Sequence, residues 1–303
     1  MHISGPEFVA AISNAGALGM MSSVMFAGEE DFRVALRRLK ALTDRPFGVN
    51  LSLLPAANLI DNDMYVRVIL EEGGVTVVET SGYRPVGHLL DKLKEAGIKT
   101  MHKCTSVRHA LAAQNLGVDA VTVFGTEGGG HIGEIGLTTM ALVPATADAL
   151  EIPVLAAGGI ADGRGFLAAL SLGAEGITMG TRLLLTEECP IHDRLKQALL
   201  AAAEVDTIEL LATLRNSIRV WKNPAALKAA DLETGRAEIG EILSMVAGAA
   251  AKRMFAEGDV DVGVIACGMS IGIVREIKPI ADVIKGMMEE AEAIQRRLVS
   301  SRS

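Results

Sequence analysis

Seven short apolar runs, each followed by a stretch of helical periodicity, recur at 18–22, 47–51, 75–80, 99–103, 120–124, 154–157 and 176–179. Runs this short, bounded by Gly, Pro or charged residues, predict strands buried on both faces, as in a parallel sheet. Helical patterns fill the intervals, among them 85–96, 106–116 and 163–172. Gly97, Gly117 and Gly173 follow their ends, where a left-handed residue closes a helix. Alternation of this kind gives βαβ units. The last two runs end in the glycine turns Ala157-Gly158-Gly159 and Met179-Gly180-Thr181. Barrel enzymes hold a phosphate at such turns on the last two strands of a β/α array. The expected fold is therefore an α/β, TIM (β/α)8-type barrel, with a doubly wound sheet as its rival. A helix at 6–15 precedes the first strand, so a closed barrel needs one further strand ahead of Met1.

The 303 residues suit one barrel of about 250 residues with an insertion. Half are hydrophobic but only 3% are aromatic, so Ala, Val, Ile, Leu and Met must fill the core. A net charge of −8 argues against nucleic acid or an anionic membrane as partner. No apolar run reaches the ~20 residues of a transmembrane helix, and the first residues lack the pattern of a signal peptide. Cys104, Cys189 and Cys267 are scattered without CxxC spacing, so neither a metal site nor a disulfide framework is expected. A cytoplasmic location is the simplest expectation.

After about residue 190 the alternation stops. The stretch from 192 to 255 shows no convincing strand and is rich in Ala, Leu and Glu, with Asn223-Pro224 as a helix start. This predicts a barrel over 1–191 and 262–303, with a helical subdomain over 192–261 covering its mouth. Ile280, Val283, Ile284, Met287, Met288, Ala291 and Ile294 share one face of a closing amphipathic helix.

Several residues could carry chemistry. Gly158, Gly159, Gly180 and Thr181 would let backbone amides approach a phosphate, the alternative being plain tight turns. Three glycines precede the histidine in Glu127-Gly128-Gly129-Gly130-His131-Ile132-Gly133, a flexible loop that would bring an imidazole to the barrel top. Histidine is the side chain best suited to move a proton near neutral pH. Lys103 ends its strand as a cation suited to an anionic cofactor atom, and Asn50 is a polar residue at a strand's end that could bond a ring system. Glu79-Thr80-Ser81-Gly82 could line the same mouth. Packing is the competing reading for each. By strand alternation His102 faces away from the site and is structural. His88, His109 and His192 fit surface or capping roles, and Cys104 a buried inert thiol. Gly163-Arg164-Gly165-Phe166-Leu167-Ala168 mimics a dinucleotide-binding pattern, but it starts past its strand and has no acidic partner at the right distance.

The stretches 42–51, 102–110 and 158–163, with Met179-Gly180-Thr181-Arg182, resemble the nitronate monooxygenase (2-nitropropane dioxygenase-like) family. The likeness spans nearly the whole chain, including Leu214-Arg215-Asn216-Ser217, and within the family the first two stretches look most like a bacterial NADH:quinone reductase. The Gly-Gly-His-Ile-Gly loop is also similar to that of flavin-dependent enoyl-thioester reductases. The resemblance implies FMN at the C-terminal ends of the strands, its phosphate on Gly158, Gly159, Gly180 and Thr181. Asn50 and Lys103 would contact the ring or ribityl part. Gly129, Gly130 and the Gly268-Met269 turn would lie beside the flavin, with His131 transferring a proton. Members of the family begin with a strand ending in a Gln-Gly-Gly-Met or Gln-Gly-Pro-Met turn, and this chain starts just after it.

The activity implied first is oxidation of an alkyl nitronate with O2 to a carbonyl compound and nitrite. NAD(P)H:quinone reduction is the alternative, with NAD(P)H as co-substrate and a nicotinamide platform around Asn216 and Trp221. Enoyl-thioester reduction, or an inactive or truncated flavin-binding relative, are further alternatives. Partners would be small molecules, neither nucleic acid nor membrane, and a homodimer is left open.

Overall fold

A computed structural model describes residues 3–53, 60–82, 85–235, 237–246 and 248–300. Seven parallel strands form the main sheet: β1 (Gly19–Ser22), β2 (Phe47–Ser52), β3 (Val77–Ser81), β4 (Lys99–Cys104), β5 (Ala120–Phe124), β7 (Val154–Ala157) and β8 (Gly176–Thr178). Between β5 and β7 lies β6 (Gly130–His131), which belongs to a second sheet. The main order, β1-β2-β3-β4-β5-β7-β8, follows the chain, so each crossover steps to the adjacent strand and the sheet curls into a TIM-barrel-like α/β fold. All seven predicted strands are present, their ends shifted by no more than about two residues.

Helices α1 (Pro6–Asn14), α2 (Glu29–Leu42), α3 (Asn62–Glu72), α4 (Gly87–Glu95), α5 (Val107–Asn115), α6 (Thr139–Ala147), α7 (Gly163–Ser171) and α8 (Thr181–Leu184) accompany the strands. Their starts follow local chemistry: Asp61, Ser106 and Asp162 accept from backbone amides of the first turn of α3, α5 and α7. The outer faces of the strands pack on these helices. Val49, Leu51 and Val78 join Phe32, Leu36, Val66 and Ile69 of α2 and α3, while Cys104, Val121 and Val123 join Ala110, Ala113 and Leu142 of α5 and α6. Alternation then turns Asn50, Glu79, Lys103 and Thr122 to the inner face. Among the described residues no strand joins β1 to β8. There α1 lies directly against β1, and its Phe8 packs with Leu183, Leu184 and Ile280.

The chain continues with α9 (Asp193–Leu200), β9 (Thr207–Leu210), β10 (Ile218–Trp221), α10 (Pro224–Thr234), α11 (Ile239–Val246) and α12 (Gly248–Glu257), and ends in α13 (Ile280–Ser300). The expectation of a segment without strands over 192–255 is corrected by β9 and β10. They pair antiparallel with each other, and β10 pairs with β6 of the barrel loop. Each is only four residues long and interrupted by polar residues, Thr207 and Glu209 in β9 and Arg219 in β10, so no long apolar run announces it. The β6 partner of β10 comes from distant sequence. The closing helix is present with Ile280, Val283, Met287 and Ala291 buried and Ile284 and Ile294 half-buried, while Met288, at the edge of the expected face, is exposed. Gly163 touches it so closely that a Cβ there would stand 2.5 Å from the Met287 carbonyl, which gives that glycine a packing role.

Candidate functional site

The inner face of β2 to β5 carries a polar cluster centred on Glu79, a carboxylate only 2% exposed. Asn50 Nδ2 donates to its Oε2 at 2.8 Å, Lys103 Nζ lies 2.8 Å from the same oxygen, and Thr122 Oγ1 donates to Oε1 at 3.2 Å. Ser81 Oγ stands 3.5 Å from Asn50 Oδ1. A buried carboxylate requires such partners, because desolvating an unpaired charge is costly. Four adjacent strands supply the members, with β3 giving both Glu79 and Ser81. Lys103 is ion-paired to Glu79, since a strand neighbour offers a carboxylate in reach. It remains partly exposed.

The opposite arc is built from backbone. After β7, Gly158 and Gly159 take left-handed φ values of 97° and 77°, open to glycine with little strain. After β8, Gly180 faces open space: no atom lies within 4 Å of where its Cβ would stand. Thr181 Oγ1 accepts from the Gly268 amide at 2.9 Å, and the Met269 amide donates to the Glu127 carbonyl at 2.9 Å. A Cβ on Gly129 would stand 2.6 Å from the Cys267 nitrogen, so this loop and the 267–269 turn touch backbone to backbone. The Glu127 carboxylate accepts from the Thr139 amide at 2.9 and 3.0 Å, capping the start of α6. The Thr139 hydroxyl sits between that carboxylate and the Gly158 carbonyl, at 3.1 and 2.9 Å. These bonds bring Gly129, Gly158, Gly159, Thr181, Gly268 and Met269 together.

Gly130 and His131 form β6, opposite Arg219 and Ile218 of β10. The sequence suggests a flexible loop here; the structure shows a strand held from the far side by the insertion. The Ile132 amide donates to the Ser217 carbonyl at 3.1 Å, the Ser217 amide to Glu134 Oε1 at 2.9 Å, and Arg219 Nε to the Thr126 carbonyl at 2.8 Å. The His131 side chain keeps access to solvent but stands in a crowded wall, and partial loss of water holds its pKa below the ordinary 6.5.

The remaining candidates behave as predicted. His102 is fully buried on the outer face of β4, Nδ1 2.8 Å from Thr80 Oγ1, and burial lowers its pKa to about 4. His88 pairs with Asp63 on the surface, and His192 Nδ1 accepts from the Arg194 amide at a helix start. Burial pushes the thiols of Cys104, Cys189 and Cys267 up to about 12, so none is a ready nucleophile. The sequence places Glu79 near the mouth but does not reveal its central position; it shows Glu127 only as the start of the glycine motif and gives no signal for Glu134 and Arg219. The available signal for Glu79 was a carboxylate inside a strand otherwise apolar enough to be buried.

The open space at Gly180 and the left-handed Gly158 and Gly159 at the end of the neighbouring strand fit an anionic phosphate, and the polar floor fits a ring system with hydrogen-bonding edges. The family model described as nitronate monooxygenase matches residues 1–290. A (3aS,4S,5R,7aS)-5-hydroxy-7a-methyl-1-oxo-octahydro-1H-indene-4-carboxyl-CoA dehydrogenase of Rhodococcus jostii is 32% identical over 97% of this chain and 90% of its own. A probable nitronate monooxygenase of Staphylococcus saprophyticus is 34% identical over 67% of this chain and 68% of its own. The structure of FabK from Thermotoga maritima superposes with a TM-score of 0.91 at 35% identity, covering 99% of this chain and 93% of that one.

Proposed function

Given that the chain belongs to the nitronate monooxygenase family of flavin-dependent oxidoreductases, we propose that it binds FMN in the barrel mouth and oxidises alkyl nitronates with O2 to a carbonyl compound and nitrite. The observation that carries this reading is the convergence of the His131 loop and the Gly180-Thr181 turn on the Gly268-Met269 turn, with the Gly158-Gly159 turn tied to that loop through Thr139. In this reading Gly158, Gly159, Gly180 and Thr181 hold the phosphate. Asn50 and Lys103 contact the ring or ribityl part, while Gly129, Gly130, Gly268 and Met269 line the pocket. Bound flavin supplies a two-electron sink, and the protein supplies position and electrostatics.

His131 takes the proton from the carbon beside the nitro group when the substrate arrives as a neutral nitroalkane. Its lowered pKa keeps the imidazole in the basic form at neutral pH. The β6–β10 ladder fixes the strand that carries the ring, and the 192–261 segment covers the mouth and excludes water.

A second reading, oxidoreduction of a CoA thioester, is favoured by coverage: the Rhodococcus relative matches 97% of the chain, the staphylococcal one 67%. The distinguishing experiment is the anaerobic visible spectrum of FMN-loaded protein mixed in turn with a short-chain alkyl nitronate, NADH, NADPH and a saturated acyl-CoA. Rapid bleaching by the nitronate alone supports the first reading. Bleaching by acyl-CoA replaces it with thioester dehydrogenation. Bleaching by a reduced nicotinamide replaces it with an NAD(P)H-dependent reductase, of a quinone or an enoyl thioester.

A further inference from the structure

The barrel floor holds one buried carboxylate and one partly exposed ammonium in direct contact. Glu79 Oε2 is 2.8 Å from Lys103 Nζ and accepts from Asn50 Nδ2 at 2.8 Å, while Thr122 holds its other oxygen. The Glu79 side chain is 3% exposed and that of Lys103 28%, so the ammonium is the member nearer open space. Two consequences follow from this geometry. An Asn side chain has two ends that differ as donor and acceptor, and a carboxylate at its Nδ2 fixes which end turns away. A positive charge facing the mouth is compensated from below, so the floor as a whole adds no net charge to whatever binds above it.

We propose that Glu79 is a positioning residue that sets the electrical balance of the flavin site, by neutralising Lys103 and orienting the Asn50 amide. This rests on the reading that a flavin ring lies over Asn50 and Lys103. Reduction adds negative charge to the ring, and a nearby positive charge in a partly water-excluded site favours the reduced form. With Glu79 present that pull is compensated; without it, Lys103 acts in full. The device uses residues from four strands that no motif links in sequence.

The test is the two-electron midpoint potential of FMN bound to wild type, Glu79→Gln, Lys103→Met and the double variant. Glutamine keeps the shape and an acceptor oxygen but removes the charge. Glu79→Gln is expected to favour reduced flavin about tenfold, which for two electrons is ~30 mV toward positive potential. Lys103→Met is expected to shift it the opposite way, and the double variant to return to within about threefold of wild type. The single variants are also expected to melt below the double one. A purely structural Glu79 would lower stability in Glu79→Gln without opposite shifts in potential, and that outcome overturns the proposal.

If Glu79→Gln does not fold, Lys103→Met and the double variant still decide the matter by their difference. Wild type that binds no FMN overturns the flavin reading, and this inference with it. Wild type that binds FMN at a potential indifferent to all three substitutions overturns the inference alone.

Discussion

The arc from β2 to β5 and the arc from β5 to β8 both shape the barrel mouth, but with different atoms. The first uses side chains: Asn50, Glu79, Lys103 and Thr122 reach across strands to one another. The second uses backbone: at Gly158 and Gly268 neighbouring main chain approaches where a Cβ would stand, Gly180 leaves open space, and Thr139 and Thr181 serve as ties. Charge can be tuned in the side-chain arc by a single substitution without moving the chain. The backbone arc can only be altered by filling space or straining the main chain. Under the proposed function, an anionic group on the glycine turns and a ring system over the polar floor would divide the labour along this difference.

The largest effect is expected at the junction of the arcs. His131→Ala should lower turnover of a neutral nitroalkane by roughly 10²–10⁴-fold, the usual worth of a positioned base. A preformed nitronate, which has already lost the proton, should be turned over within a few-fold of wild type. Steady-state rates on both substrates decide it, and equal losses would remove the proton-transfer role. Because partial loss of water lowers the His131 pKa below the ordinary 6.5, the acid-side decline in the rate with the neutral substrate should be centred below pH 6.5.

Behind the side-chain arc, His102 should make stability pH-dependent. Its pKa is about 4 in the fold against 6.5 as the ordinary value, so the unfolded chain binds the extra proton between those limits. This contribution is full above pH 6.5, is lost as pH falls toward about 4, and levels off below. The loss amounts to about 3 kcal/mol. Urea midpoints at neutral pH and near the acid limit should differ less in His102→Gln than in wild type. An unchanged difference would mean that His102 is not the titrating group.

The backbone arc should respond to a methyl group. In Gly158→Ala the new Cβ would stand 2.8 Å from the Gly125 carbonyl, on a residue with φ of 97°. A cost of about 1–3 kcal/mol is expected in denaturant unfolding, and a cost near zero would show that this turn relaxes freely. The smallest effect belongs to the tie between the insertion and β6. Ser217→Ala removes the hydroxyl that donates to Glu134 Oε2 at 3.2 Å and should cost about 1 kcal/mol. A matching few-fold drop should appear in the His131-dependent rate, and stability loss without it would confine Ser217 to structure.

The two arcs also differ in how well the sequence announces them. Glycine turns sit next to the strands they end, so Gly158, Gly159 and Gly180 stand out from local spacing alone. The seven apolar strands do too, because burial on both faces leaves a continuous run. The Glu79 cluster is held by contacts such as Thr122 to Glu79, 43 residues apart, and no local pattern specifies which strands become neighbours. Pairing of β6 with the insertion is more distant still: Ser217 and Glu134 lie 83 residues apart. Strands of two and four residues carry too little alternation to be seen without that partner. Lys103 was legible as an inward cation from strand alternation, but its counter-charge was not.

The measurement that bears most directly on the division between the arcs is FMN affinity, by fluorescence quenching, of wild type and Gly180→Ala, with the thermal midpoint of each apoprotein. Nothing lies within 4 Å of a Cβ at position 180, and its φ of −126° suits alanine, so the apoprotein should melt as wild type does. The methyl group would occupy the space assigned to the phosphate, so the predicted result is markedly weaker FMN binding at unchanged stability. Equal affinity in the two proteins would contradict the account and place the phosphate elsewhere.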